Sequence, residues 1–226
     1  MCNRTAVPVL TCLLACLALI PATAGAQPPA NPPPAPIMPP SLPPSHVVDL
    51  MTVEGSAAFG AQWKVSDVKI VEVPAIQGAM PQYKTTYNIE PRAGDANFDD
   101  SKWPTIEAKD LGARRSGGHV AFMWYRALLT IPPKIGAFDT AGAQAVLQVL
   151  VDDYAEVWIN GQVPRRSGYP SPATIQGLNM PNRVVLSTKV SAGDKFQVAV
   201  FGVNGPISVA PANTVWFREA LVQFYK

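Results

Sequence analysis

The sequence is poor in reactive side chains. Its three cysteines, Cys2, Cys12 and Cys16, all fall near the start, and only two histidines, His46 and His119, occur anywhere. Once an N-terminal segment is removed the chain has no thiol, which excludes disulfides, thiolate metal sites and cysteine nucleophiles. Two histidines also leave too few ligands for a zinc site built from His and Cys. No phosphate-cradling Gly-rich loop and no G-x-S-x-G elbow occurs. Ser116 and His119 in "SGGH" lack a third group, so this stretch reads as a Gly-hinged loop rather than a catalytic pair. Charge of one sign is also lacking: 18 basic residues face 16 acidic ones with no sustained run of either. Nucleic acid and anionic membranes, which need a basic stripe, are therefore not expected partners. Beyond the N-terminus no apolar run approaches the ~18 residues of a membrane span, so no transmembrane span is expected.

What is present begins with an export signal. Arg4 precedes an apolar run over residues 6–20 that ends in "PATAGAQ". This pattern predicts a signal peptide over residues 1–26, cleaved near Ala26, and a secreted or periplasmic mature protein. "LLAC", ending at Cys16, resembles a lipobox, and the alternative is a lipoprotein acylated at Cys16. Residues 27–46, dominated by "PPANPPPAPIMPPSLPP", read as a Pro-rich, disordered tether. Residues 47–226 have the length of one globular domain.

Within that domain, short segments of β-branched and aromatic residues recur between Gly, Pro, Asn and Asp clusters. They include "VKIVEV", "YKTTYNI", "VAFMWYRALLTI", "AVLQVLV", "AEVWI", "RVVLS", "KFQVAVFGV" and "TVWFREALVQFYK". No window holds a helical period over three turns, so the chain reads as all-β. In "VLQVLV" both alternate sets are apolar, Leu147, Val149 and Val151 against Val146 and Leu150. "KFQVAVFGV" repeats this with Phe196, Val198, Val200 and Gly202 against Ala199, Phe201 and Val203. Strands covered on both faces predict a jelly-roll-like β-sandwich of two antiparallel sheets with long connections.

"VDDYAEVWINGQ" at 151–162 then reads as strand, corner, strand and turn. Asn160-Gly161 suits a two-residue type I′ turn, which needs positive φ at both positions. Strand alternation would send Asp152 and Asp153 to opposite faces unless the chain kinks there, which disfavours a joint acid–base role. They are expected instead to accept backbone hydrogen bonds at the corner. Trp158 shares a face with Glu156 and Asn160, so one side of this strand is mixed and could form a rim.

Three of these segments in order, "FDDSKW" at 98–103, "WYR" at 124–126 and "VDDYAEVWINGQ", resemble the galactose-binding-domain-like jelly roll. That module is the non-catalytic sugar-binding domain of many family-2 glycoside hydrolases. A closer resemblance is to a bacterial exported domain that precedes a gluconolactonase-like (senescence-marker-protein-like) propeller. It is carried by "AQWKVSDVKIVE", "YNIEPRAGDANFDDSKW", "NMPNRVVLS" and "VAVFGVNGPISVAPANTVWFREALVQFYK". The given chain stops at Lys226, where the propeller would begin, so the resemblance implies a module without that catalytic domain.

Sugar binding needs aromatic faces beside hydrogen-bonding groups. The long loop "PRRSGYPSPATIQGLNMPN" offers Arg165, Arg166, Tyr169, Gln176 and Asn179 as candidate ligand contacts. Asn204, Asn213 and Arg218 are further candidates at a mouth between strands. Asp95, Asp99 and Asp100 are candidate ligands of a structural calcium ion, as jelly rolls of the resembling class often hold one. The alternative is an Asx-type turn that seats Phe98 and Trp103 in the core. No other cofactor is expected. The sequence therefore predicts an exported, non-catalytic module that binds carbohydrate or a cell-envelope polymer, accessory to a hydrolase or lactonase. The competing expectation is a structural domain that docks on a gluconolactonase-like propeller partner.

Overall fold

In a computed structural model, residues 40–77, 84–115, 122–163, 180–205 and 214–226 are described. Among them every ladder is antiparallel and two sheets dominate. One sheet has the order β1 (His46–Asp49), β13 (Trp216–Tyr225), β9 (Gln144–Asp152), β11 (Asn182–Ser187). The other has the order β10 (Tyr154–Ile159), β12 (Lys195–Val203), β6 (Phe122–Thr130), β2 (Trp63–Asp67), β5 (Thr105–Ile106). A separate hairpin pairs β3 (Lys69–Gln77) with β4 (Lys84–Glu90), and a short one pairs β7 (Lys134–Ile135) with β8 (Phe138–Asp139). The chain is a β-sandwich, as the two-sided apolar strands predict. Beyond that expectation, one short helix, α1 (Val53–Ala58), is capped at its N-terminus by the Thr52 hydroxyl, which accepts from Gly55 N at 3.0 Å. No helix of the described residues is long and apolar enough to cross a membrane.

The period-2 alternation of the strands builds two apolar layers instead of one. Leu147, Val149 and Val151 of β9 meet Phe196, Val198 and Val200 of β12 between the sheets, with Phe217 and Phe224 of β13. The alternate residues of the second sheet, Trp124, Ala199 and Phe201 among them, form a second cluster on that sheet's outer face. Residues of the segment that follows β4 cover this outer layer: Ala93 is buried within it, and Phe98 and Trp103 pack on it with ring centroids 5.3 Å apart.

A buried cation holds that covering segment in place. Arg126 of β6 lies on the outer face and is 1% exposed. Its Nε donates to the Asp100 carboxylate at 2.9 Å, and its Nη atoms donate to the carbonyls of Ala93, Asp95 and Phe98. Lys64 of β2 donates to the other Asp100 oxygen at 2.8 Å. The Trp124 indole N–H donates to the Pro91 carbonyl at 2.8 Å, a second tie between sheet and cover. Burial disfavours ionisation of Asp100, but hydrogen bonds from Lys64 and Arg126 outweigh it and hold the carboxyl below its ordinary range.

Removing one partner of a buried pair leaves the other charge uncompensated. Asp100→Ala should therefore cost about 3 kcal/mol in chemical denaturation at neutral pH. Because the folded pKa is depressed, this stabilisation is present above the ordinary carboxyl range and lost as pH falls through the folded value. The gap between wild type and Asp100→Ala should accordingly narrow in acid; a gap that stays constant down to acid unfolding would contradict the ion pair.

Candidate functional site

On the outer face of the second sheet, β10 supplies a floor in which Tyr154, Glu156 and Trp158 share one side, two residues apart. The Glu156 carboxylate joins the two rings: the Tyr154 hydroxyl donates to one oxygen at 2.7 Å and the Trp158 indole N–H to the other at 3.2 Å. Burial first, then the bond to Glu156, push the Tyr154 phenol above its ordinary value, so it stays a donor at neutral pH. The hairpin strand β4 forms the opposite wall. Its Tyr87 is 55% exposed, and Ile89 packs on the outer apolar cluster.

Two cavities open between floor and wall. The first, of about 430 Å³, is lined by Tyr87, Asn88, Arg92, Asp95, Trp124 and Trp158, among others. Arg92 donates to the Asn88 side-chain oxygen, so a guanidinium and an amide are presented together at its edge. The second, of about 450 Å³, is lined by Tyr154, Glu156, Phe201, Asp153 and Gly205 and shares Tyr87 and Ile89 with the first. Two glycines let the cover approach β10 closely. A Cβ on Gly94 would lie 2.5 Å from the Trp158 ring. One on Gly161 would lie 2.9 Å from Ala96 N, in a residue that already has φ +78°. Asn160, with φ 51°, turns the chain there and accepts from Gln197 N at 2.8 Å through its side chain.

At the far end of β10 the chain changes sheets. Asp152 closes β9, opposite Trp216 of β13, while Asp153 N already bonds to Val203 O of the other sheet. Strand alternation stops at such a corner, where the chain bends and Asp153 comes near enough to act on the Asp152 carboxyl. The peptide between them is cis. Asp153 also accepts from Gly205 N at 2.8 Å. Burial, then the bond to Asp153 and its charge, raise the Asp152 carboxyl above its ordinary range, against the opposing pull of Arg218 and Arg114. Both guanidiniums lie over the Trp216 ring, at 4.6 and 4.5 Å from its centroid.

No family model matches the chain, and no curated protein matches it. Among solved structures, a beta-glucuronidase of Bacteroides uniformis is 18% identical, over 79% of this chain and 18% of its own, with a TM-score of 0.45. A beta-glucuronidase of Faecalibacterium prausnitzii is 14% identical, over 83% of this chain and 32% of its own, with a TM-score of 0.44. A glycosyl hydrolase family 2 member from Bacteroides cellulosilyticus is 12% identical, over 72% and 20%, with a TM-score of 0.39. The matched part is thus a minor share of each enzyme.

The candidates read from the sequence fall in different places. Arg165, Arg166, Tyr169, Gln176, Asn179 and Asn213 lie outside the described residues, as do Ser116 and His119. Asn204 is spent on chain geometry, its side-chain N–H donating to Thr214 O at 2.6 Å, and Arg218 stacks on Trp216. The three acids proposed for calcium have separate partners. Asp95 accepts from Asn97 N and Asp99 from Ser101 N, each at 2.9 Å, and Asp100 pairs with Lys64 and Arg126. Donors on Ser101 hold the Asp99 carboxyl below its ordinary range. Among the described residues no group of three or more His, Cys, Asp or Glu is placed to hold a metal ion. Asp95 and Asp99 thus form the Asx-type turns of the alternative reading, in the segment that carries Phe98 and Trp103.

Sequence reasoning missed Tyr87, Asn88, Arg92 and Gly94. Their signal was faint: Tyr87 and Ile89 alternate in "YNIEPRAGD", and a Pro and a Gly then turn Arg92 back toward the strand. The mixed face of β10, by contrast, was visible as Glu156 beside Trp158.

Two outcomes test this geometry. Gly94→Ala should lower stability by about 1–3 kcal/mol, the usual cost of overpacking, and change Trp158 fluorescence; an unchanged spectrum would contradict the close approach. Asp152→Asn should be neutral to stability in acid and increasingly stabilising as pH rises toward neutral. The sign follows from a raised folded pKa, whose contribution is full below the unfolded value and lost as pH climbs through the folded one. Thermal melts across that window read it directly.

Proposed function

We propose that this chain is an exported, non-catalytic module that binds carbohydrate in the cleft between β10 and the β3–β4 hairpin. One observation carries the reading: a solvent-exposed Tyr87 ring and the Trp158 ring share a cavity of about 430 Å³ with Arg92, Asn88 and Asp95. A pyranose presents an apolar C–H face and a rim of hydroxyls, and such a ligand needs aromatic surface and convergent donors and acceptors in one concavity. The site sits on a sheet and a clamped segment, so its groups are held before the ligand arrives, which limits the ordering cost of binding. The apolar N-terminal run and the Pro-rich stretch support export and a spacer ahead of the domain. A role as accessory to a separately acting hydrolase or lactonase belongs to the same reading.

A glycan array followed by calorimetry is the test. Saturable binding of a glycan by the wild type is expected, and Tyr87→Ala, a surface change, should weaken it about tenfold, a loss of ~1.4 kcal/mol. Absence of binding to every glycan, or binding that Tyr87→Ala leaves untouched, would overturn the assignment.

A further inference from the structure

The two cavities on the outer face are parts of one groove, and resting on the carbohydrate reading above, we infer that this groove takes an extended glycan chain without acidic groups. Three observations support it. First, the cavities, of about 430 and 450 Å³, share Tyr87 and Ile89 in their linings, so the hairpin wall is continuous from one to the other. Second, the floor is also continuous. Trp158 lines the first cavity and Tyr154 and Glu156 the second, all on one strand. Four residues of β-strand separate the Tyr154 and Trp158 positions by about 13 Å, well beyond the width of a single sugar ring. The carboxylate of Glu156 between them orients both side chains, accepting from the Tyr154 hydroxyl and the Trp158 indole N–H.

Third, the charges along the groove are mostly negative. Among the described residues, Arg92 is the cation in its lining, against Asp95, Glu156 and Asp153. Arg92 and Asp95 line one cavity together, whereas Glu156 and Asp153 line the other, which has no cation among its described lining residues. A chain with a carboxylate or sulfate on each unit would bring like charges against both, with little water between. Hydroxyls, by contrast, can donate to the lone pairs of Glu156 that Tyr154 and Trp158 leave open. The chemistry thus selects uncharged or amino-bearing units, laid lengthwise along β10.

The experiment measures affinity of the full chain for β-1,4-linked gluco-, xylo- and manno-oligosaccharides, each from monosaccharide to hexasaccharide, with oligogalacturonates as the acidic series. Affinity should rise at least tenfold from mono- to hexasaccharide in one uncharged series, and the acidic series should bind more weakly at low salt. Glu156→Gln, which keeps shape, should narrow the difference between the uncharged and acidic series. Equal affinity for monosaccharide and hexasaccharide would overturn the groove while leaving carbohydrate binding intact. Tighter binding of oligogalacturonates would overturn the charge argument in the same way. No binding in any series would overturn this inference, whereas the reading it rests on falls only if every glycan of the array fails as well.

Discussion

The outer face of the second sheet depends on one buried guanidinium. Arg126 stands on a face that is otherwise aromatic and apolar, and a charge there is tolerable only if its donors are satisfied. Asp100 and three backbone carbonyls of residues 93–98 satisfy them. Those carbonyls in turn need donors, since the segment that carries them makes no strand ladder among the described residues. Cation and segment therefore stabilise each other, and the segment is fixed in a position from which Gly94 can touch Trp158. The cleft is a by-product of that placement: it is the space left where the cover, the hairpin and β10 fail to close.

The Asp152–Asp153 corner shows a different constraint. A chain that passes from one layer of a sandwich to the other must leave the strand geometry for a residue or two, and its polar groups must be met locally. Asp153 does this through Gly205 N, and the acid beside it meets two arginines stacked on Trp216. Burial disfavours the charged Asp152 carboxyl, the neighbouring Asp153 adds to this, and the raised Asp152 is the result. The arrangement has the form of a structural corner whose second acid also borders a groove.

How much of this could be read from residues alone follows from the range of the interactions. The faces of β9 and β12 were legible because both depend on a local period: Leu147, Val149 and Val151, or Phe196, Val198 and Val200, turn to the same layer in any sheet. That same period does not reach past the end of β9, so it says nothing of how Asp152 and Asp153 lie at the corner. The Arg126–Asp100 pair joins positions 26 apart in sequence, and the cleft joins residues near 87–95 with 124 and 158–161. Nothing local in "WYR" or "FDDSKW" states that the arginine of one meets an aspartate of the other. Loop composition pointed to the stretch after Asn160-Gly161, whereas the described cleft is built from β10 itself and from a strand some seventy residues earlier.

The two sheets differ in a way that decides which outer face can hold a ligand. On the first sheet, the side chains of β11, β13 and β9 that face away from the shared core form a polar ladder. Arg183 donates to Gln223, Gln223 to Gln148, and Gln148 to Glu219. The Pro40 carbonyl also accepts from Arg183 at 3.0 Å, while Arg183 Nε is buried without a partner among the described residues. Such a face is polar and largely bonded within itself. On the second sheet the equivalent positions are Trp124, Phe201, Tyr154 and Trp158, too apolar to be left open and too bulky for the cover to seal at every point. Apolar surface that must be covered, and a cover anchored at Arg126 and Trp124 more than at β10, together leave rings accessible along one edge. The position of the groove is thus a consequence of where aromatic residues fall in the strand period, with the anchoring cation setting how far the cover reaches.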